Sequence, residues 1–205
     1  MVLASGSPRR RELLAGLGLA FTVRAAAVDE TPFPGEAPAA CVRRLAHAKA
    51  TAQIGKNELV LAADTVVVLD GELLGKPRDP ADARRMLASI AGREHTVLTG
   101  MSLHDEPSGR HEAAVEASRV RMARISPPDI AWYVATGEPL DKAGSYAVQG
   151  IGALFVEAVY GSYTNVVGLP LPATWRLFSA LGYDLRWFAA SASGQEAIGA
   201  AAGDF

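Results

Sequence analysis

The sequence predicts an α/β fold built on a mixed sheet. Strand-like and helix-like segments interleave along the chain, which is the pattern of layered α/β proteins. Two tight turns, Asp70-Gly71 and Glu106-Pro107-Ser108-Gly109, join strand-like runs as hairpins, so the sheet cannot be purely parallel. At 205 residues the chain suits one moderate domain that buries most of its apolar surface.

Taken in order, Val2 to Ala4 reads as a strand, followed by a small-residue loop (Ser5, Gly6, Ser7) and a helix from Pro8 to about Leu17. Ser7 is a natural N-cap and Pro8 suits the first helical position, where no N–H is needed. Arg9-Arg10-Arg11 breaks the local rule, because cations in a first turn oppose the helix dipole. Free N–H groups, loop hydroxyls and guanidinium groups at one point form a site for a phosphate-rich anion. No Gly-Lys-Ser/Thr follows, so it is not a Walker loop.

Phe21 to Val28 reads as a second strand ending in Asp29-Glu30, and a helix follows over about 39–54. Glu58 to Leu69 is the strongest strand signal, with Glu72 to Gly75 as its return. Asp79 caps a helix that stops at Gly92. His95 to His104 and Glu112 to Ala123 read as paired strands. Ser126 starts a helix ending at Gly137. Glu138 to Gly152 is a long loop rich in functional groups. Leu154 to Val159 is a strand, Gly161 to Pro170 a polar turn, Pro172 to Leu181 a helix, and Tyr183 to Phe188 a closing strand. The ordered domain is expected over 1–190, with an Ala/Gly/Ser-rich tail over 191–205 that frays.

Composition narrows the function. The net charge of -2 offers no global field for nucleic acid. The single cysteine, Cys41, excludes an internal disulfide and reads as a small buried hydrophobe. No apolar run approaches the ~20 residues of a membrane helix, and the start lacks a secretory pattern. The expected location is cytoplasmic.

Asp64 lies inside Leu61 to Val68, where a carboxylate needs a hydrogen bond, a cation or a metal. Asp29 and Glu30 stand at a strand end. Lys49 lies on the apolar side of its helix, and Lys76 follows the hairpin. Lys142, Ser145, Tyr146 and Gln149 share the long loop, and the Gln149 amide can read a base edge. His104 and His111 read as surface residues of a hairpin, His95 as structural, and Trp132, Trp175 and Trp187 as packing. No histidine pair has metal-ligand spacing, and there is no nucleophile elbow or catalytic-cysteine context. The remaining acids, lysines, arginines and glycine turns suit a phosphate chain handled with Mg²⁺.

Four stretches in order carry a resemblance to the Maf family of nucleoside triphosphate pyrophosphatases: LASGSPRRRELL at 3–14, AADTVVVLDGELLGKP at 62–77, DKAGSYAVQG at 141–150 and GSYTNVVGLPL at 161–171. VDE at 28–30, LAHAKA at 45–50 and HTVLTG at 95–100 are weaker matches. The resemblance implies a fold similar to the inosine triphosphate pyrophosphatases, with two lobes around a central cleft. It implies hydrolysis of a nucleoside triphosphate to monophosphate and pyrophosphate with a divalent metal (Mg²⁺ or Mn²⁺), and a homodimer. By motif, Asp64 takes the family's proton-acceptor position. Ser5, Arg10, Glu30, Lys49 and Lys76 take phosphate- and metal-handling positions, with Glu30 and Asp64 the expected metal ligands. Arg9, Thr65 and Gln149 match the branch resembling dTTP/UTP pyrophosphatases; the 7-methyl-GTP branch has Trp, Gln and Glu there. The competing readings are a pyrophosphatase for ITP or XTP, and a nucleotide-binding regulator of cell division with vestigial activity.

Overall fold

A computed structural model describes residues 1–189. The expected tail lies outside the described residues. The strands are β1 (Val2–Leu3), β2 (Thr22–Val23), β3 (Leu59–Leu69), β4 (Glu72–Leu74), β5 (Glu94–Asp105), β6 (Arg110–Met122) and β7 (Val156–Tyr160). The α-helices are α1 (Pro8–Ala15), α2 (Pro38–Gln53), α3 (Pro80–Ile90), α4 (Pro127–Ala135), α5 (Tyr163–Val167) and α6 (Leu171–Ala180). The strands form one sheet in the order β2-β1-β3-β5-β6-β7, with β4 paired to β3. β1 runs parallel to β2 and β3, and the other pairs are antiparallel. The expected mixed sheet is therefore present. Among the described residues, no helix is long and apolar enough to cross a membrane.

Local chemistry sets most boundaries. Asp70 and Gly71 both adopt positive φ, 52° and 85°, as a two-residue hairpin needs. Asp79 accepts a hydrogen bond from the Asp82 N–H and Ser126 from that of Asp129, capping α3 and α4. Ser7 does not cap α1; instead the Ser7 N–H donates to Ser5 Oγ at 3.2 Å.

Other expectations are corrected. The strand expected over 21–28 shrinks to Thr22–Val23, because its partner β1 is two residues long before the chain turns into α1. The long loop carries three short 3₁₀ segments (Glu138–Asp141, Ala143–Ser145, Gly150–Phe155), so β7 begins only at Val156. The turn at 161–170 contains α5, capped by Ser162. The closing strand is a 3₁₀ turn, Leu185–Phe188, with a single bridge from Ala189 to Leu19. Trp132, Trp175 and Trp187 are exposed, not packed. His104 is buried beneath α2 against His47, while His111 remains exposed beside it.

The long strands span two large apolar cores, beside a smaller cluster of Val2, Ala4, Ala50, Val60 and Ala62. One gathers Leu3, Leu14, Leu61, Leu103, Leu177 and Phe178 against α1 and α6. The other gathers Val67, Leu87, Ile90, Val97 and Tyr133 against α3 and α4. Between them one edge of β3 is left open. β1 pairs with β3 only as far as Leu61, and β4 pairs with β3 only from Val67 onward. Residues 62–66 thus face a gap at the carboxyl end of β1, where ligands collect in α/β sheets.

Candidate active site

A cleft of about 580 Å³ occupies that gap. Asp64 and Thr65 point to opposite faces of β3, as neighbours on a strand must, yet both line the cleft because the strand edge is uncovered. Ser5, Arg9, Arg10, Glu30, Lys49, Lys76 and Gln149 line it too. Every residue expected at the site is therefore brought to one cavity.

One end is acidic. Lys49 Nζ lies 2.6 Å from Asp64 Oδ1 and 2.5 Å from Glu30 Oε1. Both Lys49 and Asp64 are buried. The helix reaches the sheet because Gly100, the β5 partner of Asp64, has no side chain. A Cβ at Gly100 would stand 2.3 Å from the Val42 carbonyl oxygen of α2. Burial raises the Glu30 carboxyl, but Lys49, Lys76 and Arg10 outweigh it and hold it below the usual carboxylate range.

The other end is basic. Arg10 is buried, with Nε donating to the Gly168 carbonyl at 2.8 Å, Nη1 to Ser5 Oγ at 3.1 Å and Nη2 to Thr65 Oγ1 at 3.0 Å. A guanidinium has five N–H donors, so two remain after these three bonds. Burial lowers the Arg10 pKa; Asp64 opposes that and Arg9 adds to it. Arg9 Nη1 lies 3.4 Å from Asp141 Oδ2, and Asp141 Oδ1 accepts from Lys142 Nζ at 2.7 Å. Lys76 is exposed at the rim and Gln149 is half-buried in the wall.

Asp141 is the acidic residue that sequence reasoning missed. It stands beside Lys142 in DKAGSYAVQG and could have been found as the acid of that stretch. Cys41, expected as packing, is buried and also lines the cleft. Tyr146 forms wall as well, its hydroxyl 2.7 Å from His95 Nε2. Burial without an acidic partner pushes His95 down to about 4.

Among the described residues, no three His, Cys, Asp or Glu side chains converge as a metal cage. Two carboxylates on one cleft wall are nevertheless a donor set that fits a divalent cation sharing its ligands with phosphate oxygens.

Comparison with known proteins agrees with the motifs. The family model described as Maf-like protein matches residues 1–181. A protein of Anaeromyxobacter sp. (strain Fw109-5) named dTTP/UTP pyrophosphatase is 57% identical over 191 residues, covering 91% of this chain and 92% of that protein. One of the same name from Myxococcus xanthus (strain DK1622) is 52% identical over 190 residues, covering 91% and 95%. Among solved structures, the Staphylococcus aureus Ham1 protein aligns over 92% of each chain with a TM-score of 0.43 at 14% identity.

Proposed function

This chain belongs to the Maf-like protein family, and we propose that it hydrolyses dTTP and UTP to the nucleoside monophosphate and pyrophosphate. The observation that carries the reading is the convergence of Ser5, Arg9, Arg10, Glu30, Lys49, Asp64, Thr65, Lys76 and Gln149 on one cleft. Relatives at 50–57% identity bear the name of that activity.

The chemistry follows from the polarity of the cleft. Arg9, Lys76, the free donors of Arg10 and the 5–7 loop bind the phosphate chain. Asp64 takes a proton from a water molecule. The water oxygen bonds to the α-phosphorus, the bond to the bridging oxygen breaks, and pyrophosphate leaves with that electron pair. Lys49 orients Asp64 and neutralises it in part. Glu30 and Asp64 would hold Mg²⁺ or Mn²⁺; such an ion supplies charge neutralisation at the phosphoryl oxygens when bound. The Gln149 amide reads the base edge. The reading includes a cytoplasmic homodimer that binds no nucleic acid, which rests on the family pattern and the net charge of -2.

The test is pyrophosphate release from dTTP, UTP, CTP, ITP and 7-methyl-GTP, with and without Mg²⁺ or Mn²⁺. Metal-dependent release fastest on dTTP and UTP is expected. Release fastest on ITP would retain the chemistry and discard the base preference. No release from any of them would favour a nucleotide-binding regulator.

A further inference from the structure

Glu30 reaches Lys49 from a segment with little else to hold it. Between β2 and α2 the chain runs from Arg24 to Ala37 without a helix or strand. Among the described residues, 25–32 make no backbone–backbone hydrogen bond. Of residues 29–37 all but Glu36 are exposed, so no buried apolar side chain pins them. Ordering such a strap costs conformational entropy, and some contact must oppose it. The Lys49 ion pair is too little by itself, because the Glu30 side chain is 55% exposed and water competes for it.

One side chain of α2 supplies the hold. Arg44 Nε donates to Glu36 Oε1 and Nη2 to Glu36 Oε2, both at 2.7 Å. Nη2 also donates to the Thr31 carbonyl at 3.2 Å, and Arg44 Cζ stands 3.9 Å from the centre of the Phe33 ring. One guanidinium thus grips the strap at a carboxylate, a carbonyl and an aromatic face, a combination that a lysine cannot reproduce. Glu36 passes the hold on, its Oε2 accepting the Phe33 N–H at 3.1 Å. Asp29 Oδ1 accepts the Thr31 N–H at 2.9 Å, so that acid serves the strap's own turn. At the start of the strap, Arg24 donates to Glu58 and, at 3.1 Å, to the Gln53 carbonyl at the end of α2. Glu30 and Pro32 flank the gripped Thr31, and both line the cleft.

We propose that Arg44 is the positioning residue for Glu30: it clamps the 29–37 strap to α2, the helix that also carries Lys49, and so sets how tightly the carboxylate pair of the cleft binds a divalent cation. The inference rests on the pyrophosphatase reading for the use of that cation and deepens it.

The experiment measures Mn²⁺ binding to the full chain without nucleotide, by water-proton relaxation, beside pyrophosphate release from dTTP at graded Mn²⁺. Arg44→Gln is expected to weaken Mn²⁺ binding by about 10-fold, the lower end of what losing a support behind a metal ligand costs. Glu36→Gln should shift it in the same direction, since it opens the clamp from the strap side. Saturating Mn²⁺ should return most of kcat to Arg44→Gln, which a general packing defect would not allow. Arg44→Gln combined with Glu30→Gln should bind Mn²⁺ no more weakly than Glu30→Gln alone. Effects that multiply in the double variant, or an unchanged Mn²⁺ affinity in Arg44→Gln, would overturn the inference. So would a wild-type protein that binds no Mn²⁺. Should Arg44→Gln not fold, Glu36→Gln carries the same comparison. The expected Mn²⁺ shifts without pyrophosphate release from dTTP would strike the activity reading and leave the clamp standing.

Discussion

Lys49 and Arg10 lie in the same cleft, both shielded from water, and are held by opposite kinds of partner. Lys49 sits between two carboxylates, Glu30 and Asp64. Arg10 donates only to neutral oxygens, those of Ser5, Thr65 and Gly168. One positive charge against two negative ones leaves the first end net negative. That end suits a divalent cation and the deprotonation of water. At the second end Arg10 keeps its charge uncompensated by direct contact, which suits phosphate oxygens. The comparison teaches that the partners of a buried cation, more than the cation itself, decide what its surroundings can bind.

The sharpest way to break the contrast is to neutralise the acidic end. Asp64→Asn is expected to lower kcat by about 10²–10⁴-fold, the usual worth of a general base. Single-turnover kinetics would show it, and near-normal turnover would remove Asp64 from the role. At the basic end, Arg10→Lys keeps the charge but loses the fork that meets three acceptors at once. Its kcat/KM for dTTP should fall by roughly 10–100-fold, mostly through KM, because lysine lacks the donors that Arg10 leaves for phosphate and one charged hydrogen bond is worth about 1.5–3 kcal/mol. An unaltered KM would show that the phosphate chain is held elsewhere.

Gly100→Ala tests how the lysine reaches the acids. Its methyl group would drive the α2 backbone off β5 and draw Lys49 away from Asp64. A loss of about 1–3 kcal/mol in a urea titration is expected, with reduced turnover. If stability and turnover are both kept, the close approach is not what sets the pair.

A pH effect sharpens the comparison from outside the cation pair. His95 and His104 are buried with no acidic partner, and burial pushes each down to about 4; at His104 the neighbouring His47 and His111 add to it. The unfolded chain therefore binds more protons than the folded one between roughly pH 6.5 and pH 4. Their contribution to stability is present above about pH 6.5 and is lost as pH falls toward 4. Urea midpoints measured across that range should decline. A His104→Gln variant should decline less steeply, and an identical slope would contradict the burial of a neutral ring there.

Much of this molecule is written locally. The hairpin at Asp70-Gly71, the caps at Asp79 and Ser126 and the run Leu59–Leu69 depend on residues a few positions apart, so pattern and propensity reveal them. The site residues were legible because the motifs keep their order along the chain. What could not be read is what each residue holds. Arg10 looked like a phosphate ligand at a helix start, yet its Nε bonds to Gly168, 158 positions away. Nothing near Arg9 announces Asp141. The sequence by itself determined the mixed α/β class, the family pattern and the residues that meet in the cleft. Only the tertiary structure decided where β3 is left unpaired, which cation faces acids and which faces neutral oxygens, and that His104 lies inside. Pairings between distant segments depend on how strands and helices stack in space, and that is not encoded in the spacing of neighbours.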